Sequence, residues 1–376
     1  MVTVMIVLLF GLCVMGVING MSALRLENAG PPELCSLPKV SVLIPARNEE
    51  VNIKHLLQSW IKSDMKPYEI LVLDDQSADR TAQVAEEVLS HSSISYRVIR
   101  GKPWSQEIRL TGKNHACQQL ADAASGDVFL FCDADLTLSE LALGRTLAIL
   151  QTHSCAGITG LPRQRTRGDR ERLVLPWILQ LPLILTLPLR WTWQSRISSM
   201  QVANGQWLAL WRDRYCEMGG HQGLGWEVLE DVAIARRMTQ LKLGGILPVI
   251  ASADLEVTMY PDWESLVEGF SKNLALIFGG SQVSLVVVLV ITNIVFSFPL
   301  WGWFMSPAAT VIGLILILGC RAVTGRLFRM RSSDLLLHWN SMILLNQLVW
   351  QVLVRQQLGP ISWKGRQIRE SKHGGI

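Results

Sequence analysis

The stretch "FLFCDADLTLSE" (129–140) sets two carboxylates, Asp133 and Asp135, directly behind an apolar run. Paired acidic groups at that place are suited to a hard divalent cation, Mg²⁺ or Mn²⁺, which takes carboxylate oxygens together with substrate phosphates. Such an ion neutralises a diphosphate and stabilises its departure. In "LDDQSADRT" (73–81), Asp74, Asp75, Ser77 and Asp79 offer acceptors for a base N–H or a ribose hydroxyl. "TGKNHACQQLADAASGD" (111–127) carries Lys113 near the start of a helical pattern, a place suited to phosphate or base contact. "GWEVLEDVAIARRM" (225–238) places Glu230 and Asp231 ahead of an amphipathic helix, where one carboxylate is available as a general base. Each motif also has a plainer reading. Asp and Ser favour turns and helix caps, acidic residues suit a helix N-terminus, and a lysine is often only solvated.

The elements that must hold these residues follow from pattern. "KVSVLIPA" (39–46), "EILVLDD" (69–75) and "DVFLFCDAD" (127–135) are β-rich apolar runs. Between them lie the helical patterns "EEVNIKHLLQSWIKS" (49–63) and "TAQVAEEVLSH" (81–91). Strands alternating with helices predict an α/β fold with a mostly parallel sheet covered by helices on both faces. Ligands of such sheets bind at the carboxyl ends of the strands, and that is where all three runs place their polar residues.

The flanks differ in character. Residues 2–21 form an uncharged apolar run long enough to span a bilayer. No basic residues precede it, which predicts an uncleaved anchor (1–24) rather than a signal peptide. Arg25, Lys39 and Arg47 follow it, and the positive-inside rule then places the next segment in the cytosol. "LVLPWILQLPLILTLPLRWTW" (173–193) is apolar, but its three prolines argue against a straight span and its tryptophans suit an interfacial segment. Runs 283–304 and 307–323 read as two further spans. Residues 335–354 are apolar but carry His338, Asn340, Asn346 and Gln347, leaving a span or an interfacial helix open. A membrane region 281–376 with a basic cytosolic tail is expected.

Composition agrees with a membrane-associated class: charged residues are 18% and mean hydropathy is +0.27. No long basic tract interleaved with aromatics occurs in the 376 residues, so nucleic acid is not an expected partner. Seven scattered cysteines without a CxxC pair argue against a disulfide framework or a zinc site.

Taken together, "VSVLIPARNEE", "LDDQSADRT", "GKNHA", "DAD" and "ED" resemble, in that order, the motifs of glycosyltransferase family 2, the inverting GT-A type, over residues 39 to 280. "PARNEE", "GKNHAC", "DAD", "GGH" (219–221) and "EGFSKNL" (268–274) are similar to bacterial membrane-bound enzymes that glycosylate carotenoid or hopanoid lipids. The resemblance implies a Rossmann-like GT-A domain (36–280) between N- and C-terminal transmembrane helices. It implies a nucleotide-sugar donor, such as a UDP-sugar, and a lipid acceptor at the cytoplasmic face of the cell membrane. It places Pro45, Ala46, Glu49, Asp74, Asp75, Lys113 and Asp133 at the nucleotide sugar. Asp133 and Asp135 fall at a Mg²⁺ or Mn²⁺ ion, and Asp231, with Glu230 beside it, at the base position.

The Gln-x-x-Arg-Trp motif of processive polysaccharide synthases has no counterpart in "EGFSKNLAL", which favours a single transfer. A polyprenyl-phosphate acceptor is the alternative. Arg163, Arg165, Arg167 and Arg170 would serve it, or would meet anionic lipid headgroups. Nucleotidyl transfer lacks its Gly-rich phosphate loop here, and a non-catalytic membrane scaffold would not need every acidic position intact.

Overall fold

The three apolar runs form strands β1 (Val40–Ala46), β2 (Glu69–Asp74) and β4 (Val128–Cys132). Between β2 and β4 the chain adds an edge strand, β3 (Tyr96–Arg100). The short β5 (Leu136–Leu138) is followed by β6 (Gly157–Leu161), β7 (Trp207–Trp211), β8 (Ile246–Ile250) and β9 (Leu255–Val257). The main sheet runs β3-β2-β1-β4-β7-β6-β8. β1 pairs parallel with β2 and β4, β2 with β3, and β6 with β8. β7 lies antiparallel between β4 and β6, and β5 pairs antiparallel with β9. This is a computed structural model describing residues 1–278 and 280–357, with the backbone of 362–363 and 366–367. The expected basic tail beyond 357 lies otherwise outside the described residues.

Two-residue periodicity explains the double cover. Val42, Ile44, Ile70, Val72 and Leu130 face one side, where they meet helices Glu50–Lys62, Thr81–Leu89 and Ala142–Thr152. Leu43, Leu71, Leu73, Phe129 and Phe131 face the other, against helices Gly112–Ala123 and Glu230–Gln240. All of these strand side chains are buried. Alternating faces of the same strands thus seed two cores. Trp60 stacks on Trp207 at 5.7 Å in the first core. Gly157 lets β6 approach β7, since a Cβ there would lie 2.3 Å from the Ala209 carbonyl oxygen.

A buried carboxylate ties the amino ends of these strands together. Glu69 accepts hydrogen bonds from Ser41 Oγ (2.7 Å), Ser125 N–H (2.8 Å) and Ser125 Oγ (2.8 Å), and pairs with Arg97 at 3.0 Å. Burial works against its charge, yet these donors outweigh burial and hold the carboxyl below the usual glutamate value.

The chain divides into two compact units. The α/β unit comprises Leu24–Arg163 and Arg190–Thr258, and a helical unit comprises Met1–Ala23, Gln164–Leu189 and the described chain from Met259 to Gln357. The segment expected at a bilayer interface, 173–193, therefore splits at Leu189. Leu173, Val174, Trp177, Ile178, Leu181 and Ile184 are buried. The part up to Leu189 packs with helices Val2–Ser22, Pro307–Leu327 and His338–Gln357. The helix runs on through Pro176, which opens a π turn to Gln180, and through Pro182, and it ends where Leu187 is extended ahead of Pro188.

Among the described residues two helices are long and apolar enough to cross a membrane, Val2–Ser22 and Pro307–Leu327. The expected span 283–304 is interrupted. Its helix, Gln282–Phe296, ends before Ser297, and a short helix Phe298–Gly302 follows. Fifteen helical residues reach about 22 Å, short of a hydrocarbon core of about 30 Å. The polar residues of His338–Gln357 turn to partners within the unit. Asn346 exchanges amide hydrogen bonds with Asn293 (2.9 and 3.0 Å), and Gln351 accepts from Trp263 Nε1 (2.8 Å).

Asn19, fully buried, supplies what Pro188 lacks. Its Nδ2 donates to the carbonyls of Ile184 and Leu187 (both 2.7 Å), and its Oδ1 accepts the Leu189 N–H (2.9 Å). The Ile184 carbonyl is the one a helical N–H at 188 would have met. Asn19→Leu leaves these backbone groups without the amide, so a loss of about 2–4 kcal/mol is expected. Thermal unfolding in detergent checks this, and an unchanged midpoint contradicts it.

Candidate active site

Parallel pairing brings the carboxyl ends of β1 and β2 level, with Ala46 opposite Asp74. Asp133 and Asp135 leave β4 at the same edge, in the turn to β5. Lys113 stands in the first turn of helix Gly112–Ala123, which Thr111 caps by accepting the Asn114 N–H. Glu230 and Asp231 open helix Glu230–Gln240.

These residues meet around one ammonium. Lys113 Nζ lies 2.9 and 3.2 Å from the two oxygens of Asp133 and 2.8 Å from Glu230 Oε1. Burial disfavours the ammonium, but the two carboxylates outweigh it and hold the lysine well above its ordinary pKa. Asp231 is fixed by backbone donors instead: Oδ2 accepts the Gly205 N–H and Oδ1 the Val232 N–H, both at 2.8 Å. Burial and the neighbouring Glu230 raise the Asp231 carboxyl to about 6, against the pull of Lys113 and the two N–H groups.

Pro45, Lys113, Asp133, Glu230 and Asp231 line one cleft, with Gly205, Phe131 and His221. Gly205 and His221 had no role assigned from sequence. A Cβ at Gly205 would lie 3.3 Å from Glu230 Oε1 and 3.5 Å from Lys113 Nζ, so a side chain there would crowd the cleft's charged groups. His221 packs against Phe131 at 4.9 Å, and its Nδ1 lies 2.7 Å from Tyr215 Oη, which also accepts the His221 N–H (3.1 Å). Burial lowers the imidazole to about 4, leaving it neutral near pH 7. Gly219 and Gly220, both at positive φ, form the turn that delivers it. The signal was "GGH", whose glycines mark the turn but do not reveal where the histidine points.

The residues expected at the nucleotide base line the strand ends beside this cleft, rather than its floor. Asp74 and Asp75 are buried, and Asp74 Oδ1 accepts the Ser77 N–H (3.1 Å). The Asp75 carbonyl accepts from Arg47 Nη1 (2.6 Å). Ala46 is buried at the end of β1, and Glu49 accepts from Asn52 Nδ2 (2.7 Å). Asp79 takes the capping role, accepting the N–H groups of Thr81 (3.0 Å) and Glu50 (3.1 Å). Within "LDDQSADRT" it is thus Asp79 that holds the starts of the two helices.

Residues 41–205 match the family described as Glycosyl transferase family 2. Over these residues the chain is similar to family 2 glycosyltransferases. A relative, 4,4'-diaponeurosporenoate glycosyltransferase of Staphylococcus aureus (strain USA300), is 25% identical over 365 residues, 89% of each chain. Among solved structures, the mannosyltransferase PcManGT from Pyrobaculum calidifontis, in complex with GDP-Man and Mn²⁺, superposes with a TM-score of 0.52 at 15% identity. That match covers 95% of this chain and 99% of the other. The fold is GT-A, and the protein is a glycosyltransferase.

GT-A folds of this kind imply a divalent cation. The donor set here is two carboxylates, Asp133 and Asp135. Among the described residues no group of three or more His, Cys, Asp or Glu is disposed to hold an ion. Hard oxygen donors in that small number suit Mg²⁺ or Mn²⁺ completed by substrate phosphate oxygens, so the residues of the glycosyltransferase fit such an ion.

The raised Asp231 carboxyl has a consequence for stability. The folded protein holds this proton more tightly than the unfolded chain, whose value is 3.8. The stabilising contribution is therefore present below about pH 4 and is lost as pH rises through about 6. In Asp231→Asn this component disappears. The melting temperature of the variant is expected to change less between pH 4.5 and 7.5 than that of wild type, and parallel curves contradict the shift.

Proposed function

We propose that the protein is a membrane-bound inverting glycosyltransferase. It moves one sugar from a nucleotide-sugar donor to the hydroxyl of a lipid acceptor of the carotenoid or hopanoid class. The observation that carries the reading is Asp231: a carboxylate of pKa about 6, aimed by two backbone N–H groups, in one cleft with Asp133 and Lys113. A base near neutrality is deprotonated in the cell, yet accepts a proton readily. Asp231 takes the proton of the acceptor hydroxyl, which attacks the anomeric carbon from the face opposite the diphosphate. The configuration inverts and no covalent intermediate forms. Glu230 faces Lys113 and serves to place it.

Asp74 and Asp75, with Pro45, Ala46 and Glu49, hold the nucleotide. Lys113 contacts its phosphates. Asp133 and Asp135 would hold Mg²⁺ or Mn²⁺, which supplies positive charge against the departing diphosphate. The helices Val2–Ser22 and Pro307–Leu327 support membrane attachment, with the α/β unit on the cytoplasmic side as the charges at Arg25, Lys39 and Arg47 suggest. The lipid acceptor is supported by the staphylococcal relative, named for a carotenoid substrate. Of the arginines that would serve a phosphate acceptor, Arg163 pairs with Glu256 at 3.1 Å and Arg170 lies over the Trp263 ring at 4.6 Å. Both engagements favour the hydroxyl acceptor.

Removing a general base costs about a hundred- to ten-thousand-fold in rate. Asp231→Asn is expected to lose turnover in that range while still binding nucleotide sugar, and Glu230→Gln to lose less. In wild type kcat/KM is expected to rise with pH through about 6 and then level off. A dead Glu230→Gln beside a working Asp231→Asn reverses the assignment. For orientation, a cysteine at Ser77 is expected to escape a membrane-impermeant thiol reagent in intact cells and to react after lysis. Labelling of intact cells places the α/β unit outside.

A further inference from the structure

Lys113 stands where the proposed cation needs access. Its Nζ is in contact with both oxygens of Asp133, at 2.9 and 3.2 Å, and with Glu230 at 2.8 Å. A carboxylate whose two oxygens both contact an ammonium keeps only its remaining lone pairs for a divalent ion, and two cations in contact with one carboxylate repel each other. The ion and Lys113 are therefore rivals for Asp133. The ammonium is not a structural bolt. Its side chain is 38% exposed, on a flexible four-carbon stem whose root alone is fixed by the capped helix. The carboxylates, by contrast, are anchored at a strand end and at a helix start.

We propose that Lys113 is an exchangeable counter-ion, which pairs with Asp133 and Glu230 before the donor binds and yields Asp133 to the divalent cation when a nucleoside diphosphate arrives. This rests on the donor and metal reading given above. Charge decides the order of events. Beside the three neighbouring carboxylates Asp133, Glu230 and Asp231, the one ammonium contacts two and offsets a single negative charge. A cation arriving alone must displace that ammonium from Asp133 and leaves it Glu230 as its single carboxylate partner. A cation arriving with a diphosphate brings phosphate oxygens, which replace the carboxylate as the partner of Lys113. Metal and nucleotide binding are thereby coupled, each strengthening the other by the same factor. A cleft that held its cation permanently would need no such coupling, and a lysine serving phosphate alone would have no reason to bridge two carboxylates.

The test is Mn²⁺ binding to the full-length protein in detergent, read from the electron paramagnetic resonance of free Mn²⁺, without nucleotide and with UDP or GDP. Wild type is expected to bind Mn²⁺ weakly alone and at least tenfold more tightly with the nucleotide. Lys113→Met is expected to bind Mn²⁺ alone about tenfold more tightly than wild type, with the gain from nucleotide reduced. Lys113→Gln, which keeps polarity without charge, should follow it and guards against a packing artefact. An unchanged or weakened affinity for Mn²⁺ alone in both variants, while wild type still binds Mn²⁺ with nucleotide, overturns the exchange and leaves the glycosyltransferase reading standing. If Asp133→Asn binds Mn²⁺ with nucleotide as wild type does, the metal assignment itself fails, and the exchange with it.

Discussion

The cleft depends on one electrostatic constraint: three carboxylates cannot gather in a half-buried space unless positive charge or directed donors hold them there. Lys113 meets that need for Asp133 and Glu230, and two backbone N–H groups meet it for Asp231. The division of labour sets the chemistry. Asp133 and Glu230 are both engaged by the Lys113 ammonium. The carboxylate given only backbone donors, and placed beside Glu230, is the one pushed to about 6. Neighbouring acids on one helix turn thus acquire different properties from different partners.

Nothing in this arrangement holds without the sheet. Parallel register sets the ends of β1 and β2 level, and β4 brings Asp133 to the same edge. Helices Gly112–Ala123 and Glu230–Gln240 share the core face of Phe129 and Phe131, and so present their first turns to that edge. At the opposite end Glu69 fastens β1, β2 and the loop before β4 through Ser41, Ser125 and Arg97. Both ends of the strands are polar, but one is saturated with internal partners and the other carries the cleft.

The helical unit follows a different rule. Its surfaces are apolar, so its internal order rests on the few polar groups it buries. Asn19 completes backbone that Pro188 leaves open, and Asn293 and Asn346 bond to each other. Buried groups of this kind have no water to fall back on, which makes the match of amide to carbonyl specific.

The sequence by itself determined the strand–helix alternation, the carboxyl-edge position of the acidic motifs and the two long apolar helices. All of these are local: period-two and helical patterns, and apolar runs long enough to act alone. β3, β6, β7 and β8 were not legible, because an edge strand, an antiparallel insertion and short buried runs leave no distinct periodicity. Run 283–304 read as one span because hydropathy does not register the break at Ser297. Segment 173–193 read as one piece because composition does not show that the chain changes unit after Leu189. Only the tertiary structure decided that Lys113 bridges Asp133 and Glu230, that Gly205 donates to Asp231 and that Tyr215 holds His221. Each of these pairs joins residues far apart in the chain or brought round by a turn. Their meeting depends on strand order and helix placement, which no single segment encodes.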